Sequence, residues 1–433
     1  MKNKLLVFML DALCSSDLEF MKELPHFQTF FTKGSLVTKV KPVYPALTYC
    51  CHTSIVTGTY VDKHTITHNE ILTRGGKLNS PWHGMKADIK GKTILDYAKE
   101  KGLSTCSLSW PLTGGADYDF NFPMIVPYFY TGYHPETYLA NTASKNLMDK
   151  YFWKYGQYLK GEDRSLDLIT MSLAPDIIED FGQPDVMMVK MCDLDSVRHT
   201  YGVYHEKTKE QLRKHDEQFG ILETAIKKFG DYEHTNFMII GDHGQTDVDR
   251  VFNINRWLKN KGYLKTDGKG NITSFKAVGH SSGLSCFVGI KDPTDQKLQQ
   301  EVKKLLETLI DDPRVQLTEV LDAKEMKERY HLEGAFDFVF ESKLPLCFKE
   351  DPDAEKECDV RVPGDHKIGA ATHGGSPERA EVTTLLAYGP GVKKGVIIPE
   401  ANMVDEAPTM AELLGFSMKE VDGKVLKEIL NQA

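Results

Sequence analysis

The chain has 433 residues, of which 41% are hydrophobic and 27% charged, and its formal net charge is -9. This length exceeds what a single hydrophobic core usually serves, and the composition is ordinary for a globular protein. The negative charge argues against nucleic acid as the main partner, because binding a phosphate backbone requires a display of Lys and Arg, whereas a small phosphorylated substrate can be neutralised locally by metal ions.

The N-terminal region contains an apolar run at residues 5–10, which ends at Asp11. This run is too short for a secretory signal peptide, and no later segment reaches the roughly 18 uninterrupted apolar residues of a membrane span. The eight cysteines include no Cys-x-x-Cys pair, and Cys50 and Cys51 are adjacent. This pattern favours reduced thiols over a disulfide framework, so we expect a cytoplasmic protein without a membrane span.

Short apolar runs at residues 5–10, 186–191 and 237–240 each end in residues that could take part in chemistry. Their length and composition predict strands that are buried on both faces of a sheet. Apolar residues recur at helical spacing over residues 207–228. This alternation predicts an α/β fold with a mostly parallel sheet sandwiched by helices. In such a sheet the ligand lies at the carboxyl ends of the strands, where Asp and His residues follow these runs.

The stretch at residues 264–368 has a different pattern. Its predicted elements are strands at residues 284–290 and 336–340 and helices at residues 295–310 and Ala323–Tyr330. A polar, charge-dense segment at residues 349–361 predicts an exposed loop. We interpret residues 264–368 as an inserted, smaller α+β subdomain.

The remaining sequence, residues 1–263 and 369–433, forms the predicted core of the protein. After the insertion, the chain returns to the main sheet with an apolar run at residues 382–388. No internal repeat or low-complexity tract interrupts this organisation.

Carboxylates and imidazoles at the predicted strand ends form one set of candidate metal ligands: Asp11, Asp195, His199, Asp242, His243 and His373. This mixture suits Zn²⁺, with Mn²⁺ or Fe²⁺ as alternatives, and two such ions about 4 Å apart would clamp an in-line phosphoryl transfer. Each residue alone has an ordinary explanation. Asp11 could cap a helix beginning near Ser16, and Asp195 and His199 could be an i,i+4 pair on a solvated surface. Their joint occurrence at strand ends favours a metal site.

Residues 44–58 predict a loop that leads into a helix. Thr48 would lie at the start of this helix, where free backbone N–H groups and the helix dipole favour a phosphoryl oxygen. A threonine hydroxyl needs activation to act as a nucleophile, and a metal can supply it. The alternative role for Thr48 is a helix N-cap, which is geometrically compatible with nucleophilic attack.

The segment from Pro45 to Gly58 resembles the Pro-x-x-Thr-x-Pro-Asn-His-x-Ser-x-x-Thr-Gly pattern of the nucleotide pyrophosphatase/phosphodiesterase branch of the alkaline phosphatase superfamily. In this family of type I phosphodiesterases the Thr is the nucleophile. Its remaining motifs are matched by Asp195-Ser-Val-Arg-His199, Asp242-His243-Gly244 and Thr372-His373-Gly374. The resemblance extends from residue 4 to about residue 415, and this many motifs in the right order are hard to obtain by chance.

The resemblance implies an alkaline-phosphatase-like fold and a two-metal hydrolase of phosphodiester or pyrophosphate bonds that acts through a phospho-threonine intermediate. Its substrates would be of the nucleotide or headgroup type. The implied ligands of the two metals are Asp11, Thr48, Asp242 and His243 for one, and Asp195, His199 and His373 for the other. The family's phosphoryl-binding Asn corresponds to Asn69, whose amide N–H would donate to a non-bridging oxygen.

Departures from the family pattern concern the substrate rather than the ligands. Cys50 and Cys51 replace Pro-Asn, Arg198 replaces Gly before His199, and Thr65 replaces Gly after His64. Cys51 and Arg198 could border the leaving group or the phosphate, so both are candidate substrate-binding residues. A metal-binding or nucleophilic Cys51 is an alternative, although a buried structural thiol is the commoner role of a cysteine.

Several alternatives stay open at the level of sequence. The same metal site could serve a phosphomonoesterase or a phosphonoacetate-type C–P hydrolase, and a non-catalytic metal- or phosphate-binding protein is a third alternative. Residues 280–283 could reach over the site, but an ordinary turn is the commoner reading of such a segment. Trp82, Trp110 and the aromatic residues 128–130 could stack on a base or lipid, although such residues usually belong to the core. The sequence does not predict the leaving group or the oligomeric state.

Overall fold

A computed structural model of the protein describes residues 3–74, 78, 80–125, 135–160, 164–362, 368–379 and 382–431. Its strands are β1 (Lys4–Leu10), β2 (Ser35–Lys41), β3 (Thr105–Leu108), β4 (Phe120–Phe122), β5 (Val186–Met191), β6 (Thr235–Ile240), β7 (Thr246–Asp247), β8 (Arg250–Asn253), β9 (Leu264–Thr266), β10 (Ile272–Phe275), β11 (Ala277–Ser281), β12 (Ser285–Ile290), β13 (Leu317–Asp322), β14 (Phe338–Ser342), β15 (Leu346–Lys349), β16 (Cys358–Val360), β17 (Ala371–Thr372), β18 (Thr383–Tyr388) and β19 (Ile397–Asn402).

The α-helices of the described residues are Leu18–Met21, Gln28–Lys33, Thr48–Thr57, Val61–His64, Ile94–Glu100, Pro135–Thr142, Lys145–Leu147, Trp153–Tyr155, Leu166–Phe181, Asp193–Tyr201, Glu206–Phe229, Ile254–Asn260, Gln296–Glu307, Ala323–Tyr330 and Glu406–Leu413. A π-helical turn, Met148–Phe152, joins two of the short helices. Short 3-10 turns lie at Ser15–Asp17, Lys86–Asp88, Gly156–Leu159, Tyr232–His234 and Met403–Asp405. Among these described helices, none combines the length and the apolar character that a membrane crossing requires.

The main sheet has eight strands in the order β19–β2–β18–β6–β1–β5–β3–β4. Strand β18 runs antiparallel to its neighbours β2 and β6, and the other neighbouring pairs are parallel. The apolar runs that predicted strands therefore form β1, β5, β6 and β18, and the predicted α/β fold with a mostly parallel sheet is confirmed.

Both faces of this sheet are covered, as the continuous apolar character of its strands requires. Alternate residues of β1 point to opposite sides: Leu5, Val7 and Met9 join one core cluster, and Leu6, Phe8 and Leu10 join another. The helices Thr48–Thr57 and Glu406–Leu413 pack on the first side, and Leu166–Phe181 and Glu206–Phe229 pack on the second. The predicted helix at residues 207–228 thus lies within Glu206–Phe229.

A second sheet of four antiparallel strands, in the order β11–β12–β14–β13, lies within the stretch that differed in pattern. The predicted helices at residues 295–310 and Ala323–Tyr330 are confirmed as Gln296–Glu307 and Ala323–Tyr330. A separate apolar cluster, which includes Val288, Val302 and Phe340, forms the core of this part. The boundaries of the inserted subdomain at residues 264 and 368 stay a prediction.

The prediction of an exposed loop at residues 349–361 is wrong in part. Lys349 ends β15, and Cys358–Val360 forms β16; these strands pair with opposite edges of β8. The charged side chains can still face water, since a strand needs only its backbone groups for pairing. The charge-dense sequence of this segment therefore gave no indication that parts of it pair with strand β8.

Candidate active site

The order of the strands brings the predicted ligands to one edge of the main sheet. Strand β1 lies between β5 and β6, with Met9 opposite Lys190 on one side and Ile240 on the other. Asp11 follows β1 and Asp242 follows β6, while Asp195 lies in the helix after β5. Parallel strands end at the same edge, so these carboxylates converge.

The six candidate ligands form two groups. In the first ligand group, Asp11, Asp242 and His243, one ligand atom from each residue lies within 4.8 Å of the others. The second ligand group, Asp195, His199 and His373, meets the same limit. The two groups contain the same residues, apart from Thr48, as the two ligand sets that the family resemblance implied.

In the first ligand group, the carboxylates converge on one imidazole nitrogen. The Nε2 atom of His243 lies 3.2 Å from Oδ2 of Asp242 and 3.5 Å from Oδ1 of Asp11. Both carboxylate oxygens are buried, and among the described residues neither has a hydrogen-bond partner. Burying such an oxygen without a donor is costly, so this arrangement fits a site for a cation.

In the second ligand group, two histidines are oriented by the backbone. His199 donates its Nδ1–H to the carbonyl of Ala371, and His373 donates its Nδ1–H to the carbonyl of Ala46, each at 2.9 Å. Because Nδ1 carries the proton, Nε2 of a neutral ring keeps its lone pair, which is how ligand histidines are usually held. The Nε2 atoms lie 3.4 Å and 3.7 Å from Oδ1 of Asp195.

The electrostatics of the site follow from its buried charges. Burial and the neighbouring Asp242 raise the pKa of Asp11 well above its usual range, against the opposing effect of Lys190. Burial alone would raise the pKa of Asp195, but the adjacent His199 and His373 hold it below its usual range. Lys190 beside Asp11 and His199 beside Asp195 therefore offset part of the negative charge of these carboxylates.

Thr48 is the first residue of the helix Thr48–Thr57. Leu47 occupies the N-cap position in an extended conformation, so the alternative role of Thr48 as an N-cap is wrong. The Oγ1 atom of Thr48 lies 3.2 Å from Nε2 of His243, at the first ligand group. The capping explanation for Asp11 is also wrong, because Asp17 accepts the backbone N–H of Cys14 at that helical turn.

Asn69 lies beside the first turn of the helix that begins with Thr48, although another helix, Val61–His64, separates the two in the chain. Its Oδ1 atom accepts the backbone N–H of Tyr49 at 3.0 Å, which ties the Asn69 loop to the first turn of the helix that begins with Thr48. The amide nitrogen is the only donor of this side chain. The side chain is half-buried.

Arg198 and Cys51 do not line an open surface. The fully buried guanidinium of Arg198 binds both carboxylate oxygens of Asp17, at 2.6 Å and 2.7 Å, and the carbonyl of Ala12. Cys51 is fully buried in the core, and burial followed by the charge of Asp242 raises its thiol pKa. These contacts contradict the predicted substrate role of Arg198 and support a structural thiol at Cys51. The replacement of Gly by Arg is accommodated because Asp17 supplies the compensating charge.

Lys190 is a site residue that the sequence analysis did not identify. Its buried Nζ atom donates to Oδ2 of Asp11 at 2.6 Å and to Sγ of Cys192 at 3.1 Å. Burial alone would lower the pKa of this lysine, but Asp11 and then Cys192 and Asp242 hold it well above its usual range. The signal was a single lysine inside the otherwise apolar strand β5.

The sequence analysis also did not identify Gln245 and His52 as residues of the site. Gln245 donates its amide to Oδ1 of Asp195 at 2.6 Å, and its position directly after Asp242-His243-Gly244 was the available signal. The buried ring of His52 donates Nδ1–H to the carbonyl of Thr48 at 2.8 Å and lies 3.2 Å from Oδ2 of Asp242. Both side chains therefore support residues of the site.

Trp82 and Trp110 pack against other rings, and part of the 280–283 segment belongs to a strand. Trp110 packs edge-on against His52 with ring centroids 4.8 Å apart, and Trp82 packs in the same way against Tyr49 at 5.4 Å. Residues 128–130 lie outside the described residues. The expectation of an ordinary turn at residues 280–283 is wrong in part, because His280 and Ser281 end strand β11.

Comparison with known proteins agrees with this geometry. The sequence model of the family described as type I phosphodiesterase / nucleotide pyrophosphatase matches residues 5–365. The chain belongs to this family. Its fold is similar to that of murine ectonucleotide pyrophosphatase / phosphodiesterase 5, with a TM-score of 0.65 and 18% sequence identity over 99% of this chain and 100% of the mouse chain.

The curated relatives are longer than this chain. Ectonucleotide pyrophosphatase/phosphodiesterase family member 1 from Homo sapiens is 23% identical over 410 residues, which are 89% of this chain and 37% of the human protein. Bis(5'-adenosyl)-triphosphatase ENPP4 from Pongo abelii is 28% identical over 258 residues, which are 57% of this chain and 49% of that protein. The chain thus spans less than half the length of these relatives.

Proposed function

We propose that the protein is a metal-dependent hydrolase of phosphodiester or pyrophosphate bonds in nucleotide- or headgroup-type substrates. The observation that carries the proposal is the position of Thr48, whose Oγ1 atom lies 3.2 Å from Nε2 of His243 at the first ligand group. A relative named bis(5'-adenosyl)-triphosphatase and an inactive form of the mouse neighbour in complex with AMP support a nucleotide-type substrate.

The two ligand groups are the proposed sites for a pair of divalent ions, most simply Zn²⁺, with Mn²⁺ or Fe²⁺ as alternatives. Their donors are carboxylates and imidazoles, the mixture that zinc accepts in hydrolases. Asp11, Asp242, His243 and Thr48 would hold one ion, and Asp195, His199 and His373 would hold the other. When bound, such a pair stabilises charge on the attacking and leaving oxygens of a phosphoryl transfer.

In the proposed reaction, the Thr48 hydroxyl gives up its proton to solvent and its oxygen attacks phosphorus in line, while the bond from phosphorus to the leaving oxygen breaks and that oxygen takes up a proton from solvent. This step produces a phospho-threonine at the start of a helix, where the helix dipole favours an anion. The amide of Asn69 donates to a non-bridging oxygen as charge develops. Water then attacks phosphorus from the side that the leaving group vacated and supplies a proton to the Thr48 oxygen as the bond from phosphorus to that oxygen breaks, which releases the phosphorylated product and restores Thr48 with net retention at phosphorus.

The proposed location is the cytoplasm. All eight cysteines are free thiols, and most of them are buried. Free thiols are stable in a reducing compartment, which supports this location. Fractionation of native cells with an antibody against the protein is the direct test, and recovery outside the cytoplasm would overturn the proposal.

Hydrolysis of bis-p-nitrophenyl phosphate and p-nitrophenyl phosphate by metal-stripped protein, with zinc or manganese added back, tests the proposed activity. We expect metal-dependent turnover with preference for the diester. Preference for the monoester would identify a phosphomonoesterase instead. Metal binding without turnover of either compound would direct the test to phosphonates, and the absence of metal binding would overturn the proposal.

A further inference from the structure

The turn that joins β11 to β12 in the second sheet contacts the loop that carries His373. The backbone N–H of Leu284 donates to the carbonyl of His373 at 2.9 Å. The hydroxyl of Ser285 donates to the carbonyl of Gly374 at 2.6 Å. His373 is therefore held on both sides, since its own Nδ1–H donates to Ala46 in the main core.

The two backbones approach so closely that no side chain fits between them. Gly283 has a φ of +81°, and a Cβ atom at this position would lie 2.3 Å from the carbonyl oxygen of His373. Gly374 has a φ of +93°, and its Cβ atom would lie 1.6 Å from the carbonyl oxygen of Ser282. Glycine is required at both positions for this contact as well as for the backbone conformation.

A carboxylate of the second sheet holds the far side of the same loop. Glu341, on β14 beside β12, accepts the backbone N–H of Ser376 with Oε1 and the hydroxyl of Ser376 with Oε2, the latter at 3.0 Å. Glu341 is buried. The segment from His373 to Ser376 is therefore bound to the second sheet at both of its ends.

The same turn also contacts the loop that carries Asn69. His68 donates its Nε2–H to the carbonyl of Ser281 at 3.1 Å. Its other ring nitrogen, Nδ1, accepts the backbone N–H of Glu70 at 3.1 Å, which fixes the tautomer that can donate to Ser281. His68 directly precedes Asn69, so this bond sets the position of the Asn69 loop.

We infer that the turn at residues 281–285 is a positioning element that aligns His373 and Asn69 with the residues of the main sheet. The inference rests on the proposed function. Asp195 and His199 lie on a helix that follows β5 of the main sheet, whereas His373 is tied to the second sheet. The second ligand group therefore depends on contact between the two sheets as well as on the bond from His373 to Ala46, whereas the residues of the first ligand group all follow strands of the main sheet.

The substitution Gly283→Ala tests the inference, because its methyl group would collide with the His373 carbonyl. Gly262→Ala is the matched control: Gly262 has a φ of +82°, and its Cβ atom would meet nothing within 4 Å. We expect Gly283→Ala to lower zinc content under limiting zinc from about two ions to about one per chain and to reduce kcat at least about 10-fold. Gly262→Ala should keep the wild-type zinc content and kcat.

Two reference variants, one in each ligand group, identify which ion is lost. The cobalt absorption spectrum of Gly283→Ala should match that of His373→Ala and differ from that of His243→Ala. Ser285→Ala removes the hydrogen bond to Gly374 without a collision, so it should weaken the same site even if Gly283→Ala does not fold.

The outcomes separate the inference from the proposed function. Failure of the wild-type protein to bind metal would overturn both. Two bound ions and diester hydrolysis in the wild type, together with unchanged metal content and kcat in Gly283→Ala and Ser285→Ala, would overturn the inference alone. Loss of the ion of the first ligand group in Gly283→Ala would also contradict it.

Discussion

The imidazole rings of His243 and His373 lie face to face, with centroids 3.7 Å apart and planes inclined by 10°. One ring belongs to the first ligand group and the other to the second, so this contact joins the two groups. Burial, followed by the proximity of His243, lowers the pKa of His373 to about 3. The ring is therefore neutral at physiological pH, as a metal ligand must be.

Replacing the proposed nucleophile should abolish turnover and leave the fold intact. We expect Thr48→Ala to reduce kcat for bis-p-nitrophenyl phosphate by about 10⁴-fold or more, because loss of a nucleophile removes the covalent step. Thr53→Ala is the control. Thr53 lies on the same helix, and its hydroxyl donates to the carbonyl of Tyr49 at 2.7 Å. Near-wild-type turnover by Thr48→Ala would contradict the proposed mechanism.

Removing the buried cation beside Asp11 should destabilise the metal-free protein. Lys190→Met leaves the Asp11 carboxylate buried without its partner, and we expect the free energy of unfolding to fall by about 3–5 kcal/mol. Added zinc should reduce this loss, because an ion that binds only the native state stabilises it. Urea unfolding with and without a chelator measures both effects.

Lys4→Met is the control for that prediction. Lys4 forms an ion pair with Asp185 at 2.7 Å, and both side chains are about one fifth exposed. We expect a smaller loss than in Lys190→Met, because this pair keeps some contact with solvent, and no dependence on zinc. An equal, zinc-independent loss in both variants would show that Lys190 has no special relation to the metal site.

Gln245 should be required for tight metal binding at the second ligand group. Its amide orients Asp195 from a fully buried position, and loss of such a partner typically weakens metal affinity by about 10–100-fold. We therefore expect Gln245→Leu to weaken one of two zinc affinities in chelator competition. Gln183→Leu is the control, because Gln183 donates to Thr235 at 2.9 Å, at the start of β6. Equal weakening of both affinities would contradict the assignment.

His64 should make the protein sensitive to acid. Burial lowers its pKa from 6.5 to about 3, and its Nδ1 atom accepts the N–H of Ile66 at 3.1 Å, a bond that protonation would break. The unfolded state binds a proton near pH 6.5, so this contribution to stability is present above that pH and is lost as the pH falls toward about 3.

The expected slope is about 1.4 kcal/mol per pH unit below the unfolded pKa. His64→Gln removes the titrating imidazole. The free energy of unfolding of this variant should therefore fall less steeply than that of the wild type between pH 6.5 and 4.5. Urea unfolding at several pH values measures the difference. Parallel pH profiles for the two proteins would contradict the prediction.

The ligand groups could be predicted because their signals are local. Asp242-His243-Gly244 lies one residue after a buried strand, and Asp195 and His199 need only one helical turn to face the same side. Parallel strands end at one edge, so the sequence pattern also indicated that these residues meet. The family motif then connected Thr48 and His373 to them.

The positions of Lys190 and Arg198 could not be predicted in this way. Both are long cations in sequences that gave no sign of their partners, and each is buried only because a carboxylate from another element lies beside it: Asp11 for Lys190 and Asp17 for Arg198. Burial of a charge depends on such a partner. The sequence therefore suggested a substrate role for Arg198, which the tertiary contacts contradict.

The sequence by itself determined the α/β class, the main strands, the set of candidate ligands and the position of Thr48 at the start of a helix, because periodicity and motif spacing are properties of neighbouring residues. Only the tertiary structure decided how β16 pairs with β8, that Lys190 and Arg198 are buried against carboxylates, and that the 281–285 turn holds both His373 and Asn69. These features depend on contacts between segments 89 or more residues apart in the chain, such as Ser285 with Gly374, and on backbone approaches that leave no pattern except a glycine.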